Sequence, residues 1–183
     1  MSKTSLLNDL IFDKSCGALR YKGVRYLLIR PETISGFQKA LYESYGEEAD
    51  EKFFAGGFEG GSLSAKRYQA LHNFSDRAII EFMMNMGGQI GWGRFSLECY
   101  DPKLKILRVS VAHSPFAESY GRSSQGVCHL IRGVLAGMAT ILFGQDCTSS
   151  ETECRAKGDA RCLFVIESQV ERVRVQRSGL KNP

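Results

Sequence analysis

Along residues 127–143, apolar side chains recur at Val127, Leu130, Ile131, Val134, Leu135, Met138, Ile141 and Leu142. That is the three-to-four-residue spacing of a helix with one buried stripe, and Gly144 ends it. Gly133 and Gly137 inside it form a Gly-x-x-x-Gly surface, which predicts close backbone packing on a sheet or on a second subunit. Upstream, residues 8–13 and 18–29 carry β-branched and aromatic side chains around Lys22-Gly23, the pattern of a hairpin. Pro31-Glu32 then opens a helix over residues 33–45, where Phe37, Leu41 and Tyr45 predict one buried face.

Residues 47–71 are harder to assign, because Gly56-Gly57 and Gly60-Gly61 interrupt Phe53, Phe54, Phe58, Leu63, Tyr68 and Leu71. Each interior glycine costs a helix roughly 1 kcal/mol against alanine. Two readings follow: a loop between two short helices, or glycines placed where a ligand or a neighbouring helix comes close. Ser75-Asp76 caps a further helix bearing Ile79, Ile80, Phe82, Met83, Met84 and Met86, which Gly87-Gly88 ends. Its methionines and Phe82 suit either ordinary core or an adaptable pocket. After Gly91-Trp92-Gly93, residues 95–100 and 104–112 alternate around Asp101-Pro102-Lys103 as a second hairpin. Residues 114–126 form a polar connection long enough to act as a flap, and the chain's last strand is expected at 162–167.

Length and charge narrow the class. At 183 residues with 43% apolar content, the chain supports one sizeable core, expected over residues 1–168. Its net charge of +4 is scattered except in a basic tail, 169–183, with Arg172, Arg174, Arg177 and Lys181, which is read as a solubilising end. No nucleic-acid partner is expected. The N-terminus has no secretory pattern, and no apolar run approaches the ~20 residues of a membrane span. The expectation is a soluble, cytoplasmic protein whose six cysteines stay reduced or bind metal.

Candidate chemistry concentrates between residues 128 and 162. Cys128 at a helix start, Glu151, Cys154 three residues on, and Cys162 after Gly158-Asp159 offer three thiolates and a carboxylate, a donor set that suits tetrahedral zinc. Four protein ligands close the coordination sphere, which makes such a metal structural rather than catalytic. Cys147 could replace Glu151, and His129 is either a supporting group or a substitute ligand. His72, His113 and His129 have no nucleophile at a recognisable spacing, and no nucleotide-binding motif is present, so nothing points to a catalyst.

Cys128, Gly133, Gly137 and Glu151-x-x-Cys154-x-Ala156-x-Gly158-x-x-x-Cys162-x-Phe164 follow Gly91-Trp92-Gly93, Ser114 and Glu118. Together they resemble the 4-vinyl reductase domain, found as the sensory module of phenol- and xylene-responsive activators. The resemblance covers roughly residues 70 to 167. It implies an α+β fold like the TRAPP subunits and NO-sensing haem domains, a twisted antiparallel sheet with helices packed against it, commonly dimeric. It also implies zinc on Cys128, Glu151, Cys154 and Cys162 and a pocket for a small hydrophobic ligand. Phe82, Met83, Met86, Trp92, Val111 and His113 are the candidate pocket residues. In the phenol sensors a histidine and a tryptophan hold the ligand hydroxyl. The corresponding stretches here read Phe82-Met83-Met84 and Val111-Ala112-His113, which favours a more apolar ligand. The expected role is a ligand-binding module acting through an effector protein. The alternatives are a tetrapyrrole-handling protein or vinyl reductase, and a TRAPP-like scaffold that holds an acyl chain on Cys99 or Cys16.

Overall fold

The computed structural model describes residues 6–169, so the tail beyond Gln169, with its arginines, lies outside the described residues. A 3-10 turn (Leu6–Asp9) leads into β1 (Ile11–Asp13), β2 (Ala18–Tyr21) and β3 (Val24–Tyr26). Three helices follow: α1 (Pro31–Tyr45), α2 (Glu47–His72) and α3 (Asp76–Gln89). Next come β4 (Arg94–Asp101), β5 (Ile106–Ala112), the short α4 (Pro115–Tyr120) and α5 (His129–Phe143). β6 (Cys147–Glu153), a 3-10 turn (Arg155–Lys157) and β7 (Cys162–Ser168) complete the order. All pairing is antiparallel, in a small sheet ordered β1-β2-β3 and a larger one ordered β4-β5-β7-β6. The fold is therefore the expected α+β arrangement of antiparallel sheet and packed helices.

The core lies between the central strands of the larger sheet and α5. Leu107, Val109 and Val111 of β5 and Phe164 and Ile166 of β7 are fully buried with Ile131, Leu135 and Met138 of α5. These α5 residues belong to the predicted apolar stripe. On its other side α5 packs against α2, and there the glycines find their reason. A Cβ on Gly57 would strike the backbone of Leu130 and Val134, and one on Gly61 the backbone of Val134. Reciprocally, a Cβ on Gly133 would meet the backbone of Phe54 and Phe58, and one on Gly137 the Phe58 carbonyl. Residues 47–72 are thus one continuous helix, and the loop reading gives way to the close-approach reading. Gly56 and Gly60 meet nothing.

Other expectations change in detail. α1 forms where predicted, yet Phe37 and Tyr45 are 60% and 64% exposed, and its buried side chains are Ser35 and Gln38. Hydrogen bonds set that face: Gln38 Nε2 donates to the Val127 carbonyl (3.1 Å), and the Ser35 and Ser119 hydroxyls pair at 2.7 Å. The first hairpin is shorter than predicted, because Leu27, Leu28 and Ile29 leave the sheet and stand exposed. α3 is capped by Ser75 as expected and runs through Gly87-Gly88 to Gln89. Leu104 belongs to the turn before β5, where the Asp101 carboxylate accepts the Lys103 and Leu104 amides at 2.9 Å. The 114–126 connection contains α4, whose Phe116 and Ala117 are buried, so it is anchored there rather than free. β6 has no counterpart among the predicted elements. Its sequence, Cys-Thr-Ser-Ser-Glu-Thr-Glu, is polar because it is a sheet edge paired on one side only.

The helix crossing makes a direct prediction. Gly61→Ala or Gly133→Ala forces backbones apart and should destabilise the fold by about 1–3 kcal/mol, the usual cost of overpacking. Gly56→Ala meets open space and should be neutral or stabilising by up to about 1 kcal/mol, read from urea denaturation midpoints.

Candidate metal centre and ligand cavity

Cys128, Glu151, Cys154 and Cys162 converge, with their ligand atoms all within 4.8 Å of one another. Four local structures deliver them. Cys128 is the N-cap of α5; Glu151 lies on β6 beside a register shift; Cys154 leads into the 3-10 turn; Cys162 opens β7. The Asp159 carboxylate accepts the Cys154 amide at 2.7 Å, and Gly158, at φ +102, takes the left-handed conformation that turns the chain back. The Cys128 and Cys162 sulfurs are 3.7 Å apart, too far for a disulfide and suited to two ligands of one ion.

Electrostatics describe a set built for a cation. Glu151 Oε2 accepts the Cys128 amide at 2.9 Å, while its Oε1 is buried with no hydrogen-bond partner among the described residues. Burial, reinforced by Cys154, pushes the Glu151 carboxyl up to about 8. Hydrogen bonds from Cys128 and Cys162 hold the Cys154 thiol far below its usual range, and the bond to Cys154 holds Cys128 far above. Protein groups alone thus sustain one thiolate here, whereas a dication favours every donor in deprotonated form.

Cys147 and His129 stand apart from this cluster. The Cys147 thiol donates to the Gln145 carbonyl (3.3 Å), and His129 Nε2 meets Asp50 Oδ1 at 3.1 Å. Burial lowers the His129 ring to about 4 and raises the Asp50 carboxyl, so at pH 7 the imidazole is neutral and this contact is a hydrogen bond.

A cavity of about 220 Å³ opens between α2, α3 and α5. Met83, Met86 and Trp92 line it, joined by Met84, Phe95, Leu135 and Met138. The remaining candidate pocket residues lie elsewhere. Phe82 packs edge-on against Tyr68 and beside His72 and Phe74; Val111 is sealed in β5; the His113 side chain is 74% exposed near Glu118. Tyr26 and Tyr68 also line the cavity and join their hydroxyls at 3.0 Å. Sequence reasoning missed this pair, because its members lie 42 residues apart on a hairpin and a helix with no local pattern linking them.

α4 joins the two features. Phe116 stands edge-on to Trp92 at 5.2 Å, Ser114 Oγ lies 3.4 Å from the Cys128 sulfur, and Glu118 meets Arg155 at 3.4 Å. Just beyond, the Ser123 amide donates to the Ala156 carbonyl at 2.9 Å.

Comparison with known proteins fits these observations. Residues 107–168 match the vinyl-4-reductase domain family, and the 4-vinyl reductase resemblance stands on that match. The chain is 25% identical over 170 residues to the phenol regulator MopR of Acinetobacter guillouiae, covering 87% of this chain but only 30% of MopR. In structure it is similar to the phenol-responsive sensory domain of the transcription activator PoxR with phenol, at a TM-score of 0.78, 19% identity and full coverage of both chains. It is also similar to a trafficking protein particle complex subunit 3 from Naegleria fowleri covalently bound to palmitic acid. That match has a TM-score of 0.54 and 9% identity, over 76% of this chain and 95% of the other. Among the described residues no helix is long and apolar enough to cross a membrane.

Burial raises both Tyr26 and Tyr68 above the ordinary tyrosine value near 10. The unfolded chain therefore loses these protons first, and stability should fall as pH rises above about 10. In an alkaline absorbance titration at 295 nm, Tyr26 and Tyr68 should ionise late or only on unfolding. Tyr26→Phe and Tyr68→Phe should each remove one late-titrating phenol.

Proposed function

We propose that this chain is a ligand-sensing domain: a small apolar aromatic molecule enters the cavity beside Trp92, and a structural zinc ion on Cys128, Glu151, Cys154 and Cys162 holds the fold around it. The observation that carries the reading is the cavity itself. An engineered apolar cavity of about 150 Å³ takes up benzene, so about 220 Å³ lined by methionine, tryptophan and phenylalanine suits a substituted single ring. Likeness to two proteins named for phenol response supports it.

The donor set supports zinc. Three thiolates and a carboxylate are ligands it accepts, and the unpartnered Glu151 Oε1 gives the fourth bond an atom to use. Bound there, zinc would supply the positive charge that keeps three thiols and a buried carboxyl deprotonated. It would also tie the start of α5 to the β6–β7 turn. Glu151 and Cys128 hold each other in place through the amide bond they share.

Occupancy is reported through α4, which touches Trp92 on one side and the cysteine cluster on the other. The listener is an effector protein, the setting cytoplasmic, and the assembly a homodimer using exposed apolar surface such as Leu27, Leu28, Phe37 and Tyr45. A tetrapyrrole needs more room than this cavity offers, which weighs against a macrocycle-handling role. Cys16 and Cys99 do not line it, which weighs against an acyl scaffold.

Two measurements test the reading. Cys154→Ser should drop zinc from about one ion per chain to near none by elemental analysis and lower the melting temperature sharply, because metal binding and folding are coupled. A metal-free wild type with the variant's melting curve would overturn the zinc assignment. Toluene should shift Trp92 emission saturably, Trp92 being the single tryptophan; a flat titration to the solubility limit would sink the cavity as a ligand site.

A further inference from the structure

We infer that the paired hydroxyls of Tyr26 and Tyr68 are the polar anchor of the cavity and select a neutral aromatic ligand carrying one hydrogen-bond-accepting oxygen. This rests on the reading of the cavity as a ligand site and adds the chemistry of the ligand. The side chains that line the cavity include no lysine, arginine, histidine or carboxylate, and beyond the Trp92 indole their polar groups belong to Tyr26, Ser64 and Tyr68. Ser64 and Tyr68 lie four residues apart on α2 and so share one face. The polar groups from α2 and β3 thus meet on one side, opposite the methionines of α3.

Hydrogen counting gives the selectivity. Two hydroxyls carry two hydrogens, and the 3.0 Å bond between them uses one. The second hydrogen has no other protein acceptor among the described residues, so a ligand oxygen is the partner it lacks. Burial keeps both phenols protonated, so the pair is a donor at neutral pH. An anionic ligand would have to shed its water in an apolar chamber with no cation lining it, which excludes carboxylates. A purely hydrocarbon ligand fits but leaves the hydroxyl unpaired.

The anchor is also held in place. The Tyr68 ring takes the edge of Phe82 at 4.8 Å, and Tyr26 is paired with Leu19 across the β2–β3 ladder. A group fixed before the ligand arrives loses little freedom on binding, which favours selectivity.

Acetophenone and α-methylstyrene have nearly the same shape and differ by a carbonyl oxygen in place of a methylene. Calorimetric titration of the full chain with each tests the anchor. The wild type should bind acetophenone about tenfold more tightly or better, the equivalent of one net hydrogen bond. The double variant Tyr26→Phe/Tyr68→Phe should lose that preference while keeping α-methylstyrene affinity within about threefold, since removing both partners of a buried bond together costs little. The double variant is required because either hydroxyl left alone would still hold a hydrogen to donate. Saturable α-methylstyrene binding with no acetophenone preference in the wild type overturns the anchor and leaves the cavity reading standing. A preference that persists in a double variant melting like the wild type also overturns it. Silence from both ligands and from toluene overturns the cavity reading and the anchor together.

Discussion

Two helices lying backbone against backbone set most of the distances in this molecule. Gly57 and Gly61 of α2 meet Gly133 and Gly137 of α5 with no room for a single added carbon. Main-chain atoms in contact bring the axes closer than side-chain ridges allow, and the side chains at the edges of the contact are left to fill the space beside it. That space is the cavity: Tyr68 from α2 and Ile131, Leu135 and Met138 from α5 flank the crossing and line the chamber. Cys128 caps the same α5, so the helix that fixes the chamber also presents a sulfur to the candidate metal centre.

The parts legible in the sequence are those whose cause is local. The α5 stripe, the Ser75 cap and the Lys22-Gly23 hairpin each state their geometry within a few residues, and the structure has all three. The four donors could be grouped because they fall within a short stretch and share one chemistry, and the structure gathers their atoms. What stayed hidden depends on a partner far away in the chain. Glycine in α2 weakens a helix taken alone, and only α5 shows why two of those glycines are there. The buried face of α1 is chosen by Gln38 reaching the Val127 carbonyl, which no apolar periodicity reports. Tyr26 and Tyr68 meet only after a hairpin and a helix have folded together.

Helix α4 is small, yet it lies where the chamber and the cysteines come nearest. Phe116 presses on Trp92, Ser114 touches the Cys128 sulfur, and Ser119 holds α1. A shift at the Trp92 wall therefore has a short path of packed atoms to the outer face of α1, where Phe37 and Tyr45 stand in solvent. Two discrete arrangements of that path would give a sensor its output.

Strand β6 forms one border of the larger sheet. An open sheet edge is a template on which another chain can add, and proteins suffer aggregation where such an edge is long and greasy. Here Ser150 and Thr152 stand in water, Glu151 turns toward the cysteines, and the pairing with β7 slips between Glu151 and Glu153. The hydroxyl-rich composition that concealed this strand from pattern reading makes the border of the sheet a poor place for amyloid-like growth.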